Sequence, residues 1–184
     1  MMFPHLSSVQ WIGWSLFLIF SVGIILFSRR SLIDPRHYGF YRFFAFEALM
    51  GIVFLNIRIW FADPFSPHHI LSWVLLIFAL AIAIHSFFLL KREGLPAGQI
   101  EQTTRLVSQG AYRFIRHPLY ASLILFGWGI YLKHPLPITT TLIFTACGLL
   151  AATAIVEEQQ NLQKFGEEYR QYMDKTKRFI PYLF

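Results

Sequence analysis

Apolar residues run along the chain in five blocks, at about Val9 to Ser28, Phe40 to Phe61, Ile70 to Leu90, Leu119 to Leu132 and Ile138 to Val156. A helix needs about 20 residues to cross the hydrocarbon core of a bilayer. The first, third and fifth blocks are close to that length. The second is long enough but carries Glu47, Asn56 and Arg58. The fourth is short, and is expected to pair with the fifth as a hairpin that penetrates part-way or leans on Pro118 and Tyr120 at its start. The first block is too long for a signal-peptide core and has no A-x-A site, so it reads as a retained span. Beyond the last block, Leu162, Phe165 and Tyr169 recur at helical spacing and predict an amphipathic helix. The pattern as a whole predicts an all-α, polytopic integral membrane protein with about five transmembrane helices. Residues 1–90 would form a three-helix membrane region, and 91–184 a region made of a polar loop, the hairpin and the C-terminal helix.

Composition sharpens this picture. Of 184 residues, 55% are hydrophobic and only 14% charged, against about 25% charged in a soluble domain. So few charges cannot cover a soluble globule, and lipid must do part of the covering. The one cysteine, Cys147, lies inside an apolar block, which excludes a disulfide framework or a CxxC metal site.

The net charge of +6 acquires meaning from its placement. With the N-terminus outside, 14 Lys and Arg fall on the inner side, among them Arg29, Arg30, Arg36, Arg42, Lys91, Arg92, Arg105, Arg113, Arg116 and five in the tail. Only Lys133 and Arg58 fall outside. This asymmetry predicts an N-outside, C-cytoplasmic topology. The bases then sit among anionic lipid headgroups, which removes nucleic acid as a partner. Trp11, Trp14, Trp60 and Trp73 near the presumed outer ends fit an interfacial aromatic belt.

Polar material is concentrated in two inner pieces that flank the last hairpin. The first contains Gly110, Tyr112, Arg116, His117, Pro118 and Tyr120. Glycine allows a backbone conformation or close approach that a side chain would block, and Pro118 suits the first turn of a helix. Arg116 and His117 thus stand just before a helix N-terminus, where free N–H groups and the dipole favour a carboxylate or another anion. The second piece begins with Glu157-Glu158 at the inner end of the last span. Two adjacent carboxylates repel each other, and a cationic or multiply hydroxylated ligand would relieve that repulsion. Read from chemistry alone, the first piece is equally a basic juxtamembrane anchor and the second a solvated helix end.

Together the two pieces read Gly-x-Tyr-x-x-x-Arg-His-Pro-x-Tyr, a hairpin, then Glu-Glu-x-x-x-Leu-x-x-x-Gly-x-x-Tyr-x-x-Tyr and Arg-x-x-Pro. This pattern, over about Leu106 to Pro181, resembles the isoprenylcysteine carboxyl methyltransferase and phospholipid methyltransferase family. The resemblance implies an S-adenosylmethionine-dependent membrane methyltransferase acting on a lipophilic acceptor or a lipid. It implies a cofactor site lined by Gly110, Tyr112, His117, Pro118 and Tyr120 on one side and by Glu157 and Glu158 on the other. His117 and Glu158 would be the catalytic pair, and the tail from Leu162 to Pro181 a lid. The chain departs from the family pattern at Ala111, where Pro is usual, and at Ser122, where Gly is frequent. Ala151 to Val156 is wholly apolar and lacks the basic residues that would meet a prenyl-cysteine carboxylate.

Two other readings compete. Sterol-reductase-type membrane enzymes carry a similar Arg-His-x-x-Tyr segment but bind NADPH, and a non-enzymatic transporter or assembly factor would leave the paired motifs unexplained. In the N-terminal half, Glu47 and His85 fall at similar depth and are expected to pair, as a functional site or as an interhelical hydrogen bond. Arg58 is expected to snorkel to the outer surface. The compact size points to a prokaryotic plasma membrane.

Overall fold

A computed structural model describes residues 8–28, 32, 34, 36–97, 100 and 102–183, with side chains from residue 15 to residue 26 in the first helix. The basic pair Arg29 and Arg30, and the side chains of Trp11 and Trp14, lie outside the described residues. Six α-helices follow in order: α1 (Ser8–Ser28), α2 (Tyr38–Asn56), α3 (Pro67–Leu89), α4 (Pro118–Tyr131), α5 (Pro137–Phe165) and α6 (Glu167–Lys175). Short 3-10 turns occupy Ile57–Ile59 and Gly110–Arg113, and a π turn occupies Leu90–Gly94. Among the described residues there is no strand, only isolated bridges pairing Pro96 with Thr103 and Ile115 with Lys177. The protein is an all-helical, polytopic membrane protein. Tyr38–Ile59, Pro67–Gly94 and Pro137–Phe165 are long and apolar enough to span, and α1 and α4 supply shorter apolar helices.

The helices pack as a chain of neighbours: α1 on α2, α2 on α5, α5 on α4, and α4 on α3. The α2–α5 seam is written in the spacing of small and branched residues. Ala45, Ala48, Leu49 and Ile52 recur at one helical face of α2, opposite Ala154, Leu150, Ala146 and Ile143 of α5, all buried. Alanines let two backbones approach closely where lipid supplies no hydrophobic drive for helices to associate. Large residues outside the seam, such as Leu18, Ile77, Phe78 and Phe144, are exposed to the surrounding lipid.

The short helix α4 is accommodated by its neighbours. Fourteen residues extend only about 21 Å at 1.5 Å per residue, and the last carbonyls of a helix have no partner within it. Ser72 Oγ donates to Gly129 O at 2.6 Å, and Asn56 Nδ2 donates to Ile130 O at 2.9 Å. His69 Nε2 bonds Lys133 O at 3.0 Å, just past the helix end. Asn56, which sequence reading placed among the polar oddities of the second span, is a carbonyl cap for another helix.

Two expectations are corrected. Glu47 and His85 do not pair: Ser21 Oγ of α1 donates to Glu47 Oε2 at 2.7 Å, while His85 Nε2 faces the 3-10 turn, 3.4 Å from the N–H of Ala111. Depth along two helices is no guide to which faces meet. The C-terminal amphipathic helix is two helices, because Gly166, with φ +58°, ends α5 and turns the chain into α6. Leu162 and Phe165 therefore belong to the spanning helix and Tyr169 to α6. The last hairpin is also unequal, with α5 running 29 residues and carrying Glu157 and Glu158 as an unbroken continuation of the span.

Candidate functional site

The site forms where the Gly110–Tyr120 segment, the C-terminal end of α5 and α6 converge. Gly110 has φ +56°, a left-handed backbone, and a Cβ there would lie 2.6 Å from His85 Nε2 and 2.9 Å from Leu89 Cδ2. Both reasons for glycine thus hold at this one position, and the 3-10 turn is pressed against α3. Tyr112, in that turn, is buried against Leu90 and Val107. Pro118 opens α4 at its first turn, and His117 stands at the N-cap without capping it, so its ring is free to turn inward.

The tail closes over this segment as a strap. Arg116 N–H donates to Lys177 O at 2.7 Å and His117 N–H to Arg178 O at 3.1 Å, while Lys177 N–H donates to Phe114 O at 3.3 Å. Tyr172 Oη donates to Tyr112 O at 2.7 Å and fixes α6 to the 3-10 turn. Burial raises the pKa of the Tyr169 and Tyr172 hydroxyls well above the usual tyrosine value, so both remain neutral donors.

The two adjacent carboxylates have separate environments. Glu158 is 4% exposed and holds three partners: Arg116 Nε at 2.7 Å, His117 Nε2 at 3.3 Å, and Arg178 at 3.0 Å. The Arg116 guanidinium also bonds the carbonyls of Met173, at 3.2 Å, and Thr176. Glu157 instead accepts from Tyr120 Oη at 2.5 Å, and the Tyr120 ring stacks beside His117 with centroids 5.5 Å apart. Successive residues on a helix point about 100° apart, which is enough to send one carboxylate into the ion cluster and the other into the adjoining cleft.

That cleft has about 500 Å³ of free space, partly open to solvent, and is walled by Tyr112, His117, Tyr120, Glu157, Asn161 and Tyr169, among others. Of the residues singled out in the sequence, Tyr112, His117, Tyr120 and Glu157 line it. Gly110, Pro118 and Glu158 do not: the first two shape the backbone, and the third is consumed by its cationic partners. The expectation had both carboxylates face a ligand; here Glu158 faces Arg116, His117 and Arg178 and is absent from the cleft walls. Sequence reading missed Asn161, Tyr169, Phe165 and Thr103 in the walls, and Arg178 as the third partner of Glu158. Tyr169 and Phe165 were visible as the apolar face of the tail; nothing in the spacing marked Thr103.

Comparison with known proteins meets this geometry at the same elements. Residues 67–168, more than half of the chain, match the phospholipid methyltransferase family. The chain belongs to that family. The matched stretch of this phospholipid methyltransferase family member runs from α3 through the His-Pro segment to the first turn of α6. A more distant likeness is to methanethiol S-methyltransferase 1 of Bradyrhizobium diazoefficiens, 32% identical over 74 residues, 39% of this chain and 24% of that protein. The chain spans about a quarter of that relative's length.

Proposed function

We propose that this protein is an S-adenosylmethionine-dependent methyltransferase that acts on a lipophilic acceptor at the cytoplasmic face of a prokaryotic plasma membrane, with its N-terminus outside. The observation that carries the reading is the Glu157–Tyr120 pair set in an aromatic-walled cleft. The donor set fits the cofactor. Glu157 offers a carboxylate to a cationic amino-acid sulfonium or to ribose hydroxyls. Tyr112, Phe165 and Tyr169 offer ring faces, and Asn161 offers an amide to a heterocycle edge. NADPH fits less well, because Arg116, the one Arg or Lys among the lining residues, is already committed to Glu158.

S-adenosylmethionine, when bound, supplies an already activated methyl group, so the residues of this chain need contribute little acid–base chemistry. Their work is to orient two reactants and exclude water. Tyr120 holds the Glu157 carboxylate at the cleft, and Glu158 positions the His117 ring and the Arg116 guanidinium beneath it. A carboxylate or thiolate acceptor needs no base. An amine acceptor must lose a proton, and His117, at the wall of the cleft, is placed to take it. An apolar hollow between α3 and α4, walled by Trp73, Leu76, Ala79, Ala83, Ser122 and Leu123, is a route for an acceptor from lipid. Ser122 Oγ donates to the carbonyl of Leu119, which lines the cleft itself.

The test is calorimetric titration of the detergent-solubilised protein with S-adenosylmethionine, its demethylated product and NADPH, beside the E157Q variant. Binding of the first two, weakened in E157Q, supports the proposal; binding of NADPH alone moves the protein to the reductases. Binding of none in a folded sample favours a transporter or assembly factor. Acceptors are then screened by transfer of labelled methyl, with long-chain thiols included because of the likeness to a thiol methyltransferase.

A further inference from the structure

Apart from the cleft, a second hollow, with about 610 Å³ of free space partly open to solvent, is lined by Arg113, Phe114, Asp174, Lys175, Lys177 and Tyr182. Three cations share its walls with a single carboxylate. The side chains of Arg113, Lys175 and Lys177 are exposed and make no ion pair or hydrogen bond among the described residues. Apolar groups that a soluble surface would hide stand in the same walls, Phe114 at 48% exposed and Tyr182 at 86%, and Ile180 and Leu183, 51% and 76% exposed, flank Tyr182 along the chain. Arg113 precedes by five residues the proline that opens the membrane helix α4, so this surface lies at the bilayer boundary.

Cations without a partner among the described residues, beside exposed aromatic and aliphatic groups, match a ligand that is anionic at one end and apolar at the other. We propose that this hollow binds the phosphate of an anionic membrane lipid, and that the bound lipid holds the C-terminal strap closed over the cleft. The coupling runs through one pair of residues. Lys177 borders the hollow and donates its N–H to Phe114 O; its neighbour Arg178 grips Glu158. A phosphate between Arg113 and Lys177 therefore ties together the two sides of the strap that the Ile115–Lys177 bridge joins. The lipid site stands independently of the cofactor assignment, whereas the coupling rests on the proposed S-adenosylmethionine site.

The experiment measures retained phosphatidylglycerol after exchange into phosphatidylcholine nanodiscs, by native mass spectrometry, for the wild type and an R113Q/K175Q/K177Q variant. A K91Q/R92Q variant, which removes charge elsewhere on the inner side, is the control. The triple variant should lose retention about tenfold or more, and the control should not. K175Q alone, at the exposed end of α6, should give a smaller loss in the same direction, and it decides the matter if the triple variant does not fold. Equal retention in the triple variant, or equal loss in the control, overturns the lipid site. Displacement of the lipid by millimolar inorganic phosphate replaces it with a free-phosphate site. In a second arm, S-adenosylmethionine affinity should rise severalfold in nanodiscs containing phosphatidylglycerol for the wild type only. Unchanged affinity overturns the coupling and leaves the site. Absence of cofactor binding in every nanodisc overturns the proposed function, while retention still judges the lipid site.

Discussion

The two ends of the helix bundle bury polar side chains in opposite ways. At one end, Ser72, Asn56 and His69 point at backbone carbonyls around the end of α4. Those groups give the acceptors of a helix end donors in a medium without water. At the other end, Arg116, His117, Glu158 and Arg178 bond mainly to one another and to the strap, and their cluster borders a cleft. Polar groups that serve the backbone mark structure, and polar groups that form a charged cluster beside a cleft mark a site. Charge, not burial, separates the two.

Substitutions at each end can break this contrast. The largest effect on stability is expected from E158A. It strands the buried Arg116 guanidinium, and loss of one partner of a buried ion cluster destabilises by about 3–5 kcal/mol. Thermal unfolding in detergent should record a marked fall in melting temperature, and no fall would mean that the cluster is solvated. E157Q should leave unfolding almost unchanged and weaken S-adenosylmethionine binding by about 1.5–3 kcal/mol, the value of a hydrogen bond to a charged group, read by calorimetry. Adjacent carboxylates would then have opposite phenotypes; similar phenotypes would erase the distinction drawn between them.

Smaller effects are expected around the end of α4 and at the turn. S72A should destabilise by about 1–3 kcal/mol through the carbonyl of Gly129 that it leaves without this donor, and N56L should cost less, because Ile130 O also accepts from the Lys133 N–H; cofactor affinity should be unaltered in both. A large affinity change would show that the α4 caps also set the distant site. G110A should destabilise by about 1–3 kcal/mol from backbone strain, with a further term from the clash with His85. Adding H85A should recover the clash and leave the strain, so the double variant should be more stable than G110A alone in a thermal unfolding series.

How much of this was legible in the sequence differs by element. The spans were legible because lipid demands long apolar runs and nothing else in the composition competes with that demand. That Gly110, His117 and the glutamate pair belong to one region was legible because glycine beside a His-Pro helix start, and like charges side by side, are locally expensive. The different environments of Glu157 and Glu158 were not, since they depend on where Arg178 returns after the break at Gly166. Arg178 is 20 residues beyond Glu158, and no periodicity crosses a left-handed glycine. His85 was read as a partner for Glu47 because both are ionisable residues inside spans, yet helix rotation points one at α1 and the other at the 3-10 turn.

The contact between Gly110 and His85 has one further consequence. His85 lies four residues before the end of α3 at Leu89, so at 1.5 Å per residue the loop turn docks about 6 Å back along α3, with the π turn extending beyond it. The site is recessed from the level at which that helix ends. An acceptor dissolved in the bilayer would then meet it by moving sideways within the lipid, without first escaping into water. Turnover would follow the mole fraction of acceptor among the lipids, not its bulk concentration, and adding inert lipid would slow the reaction by surface dilution alone.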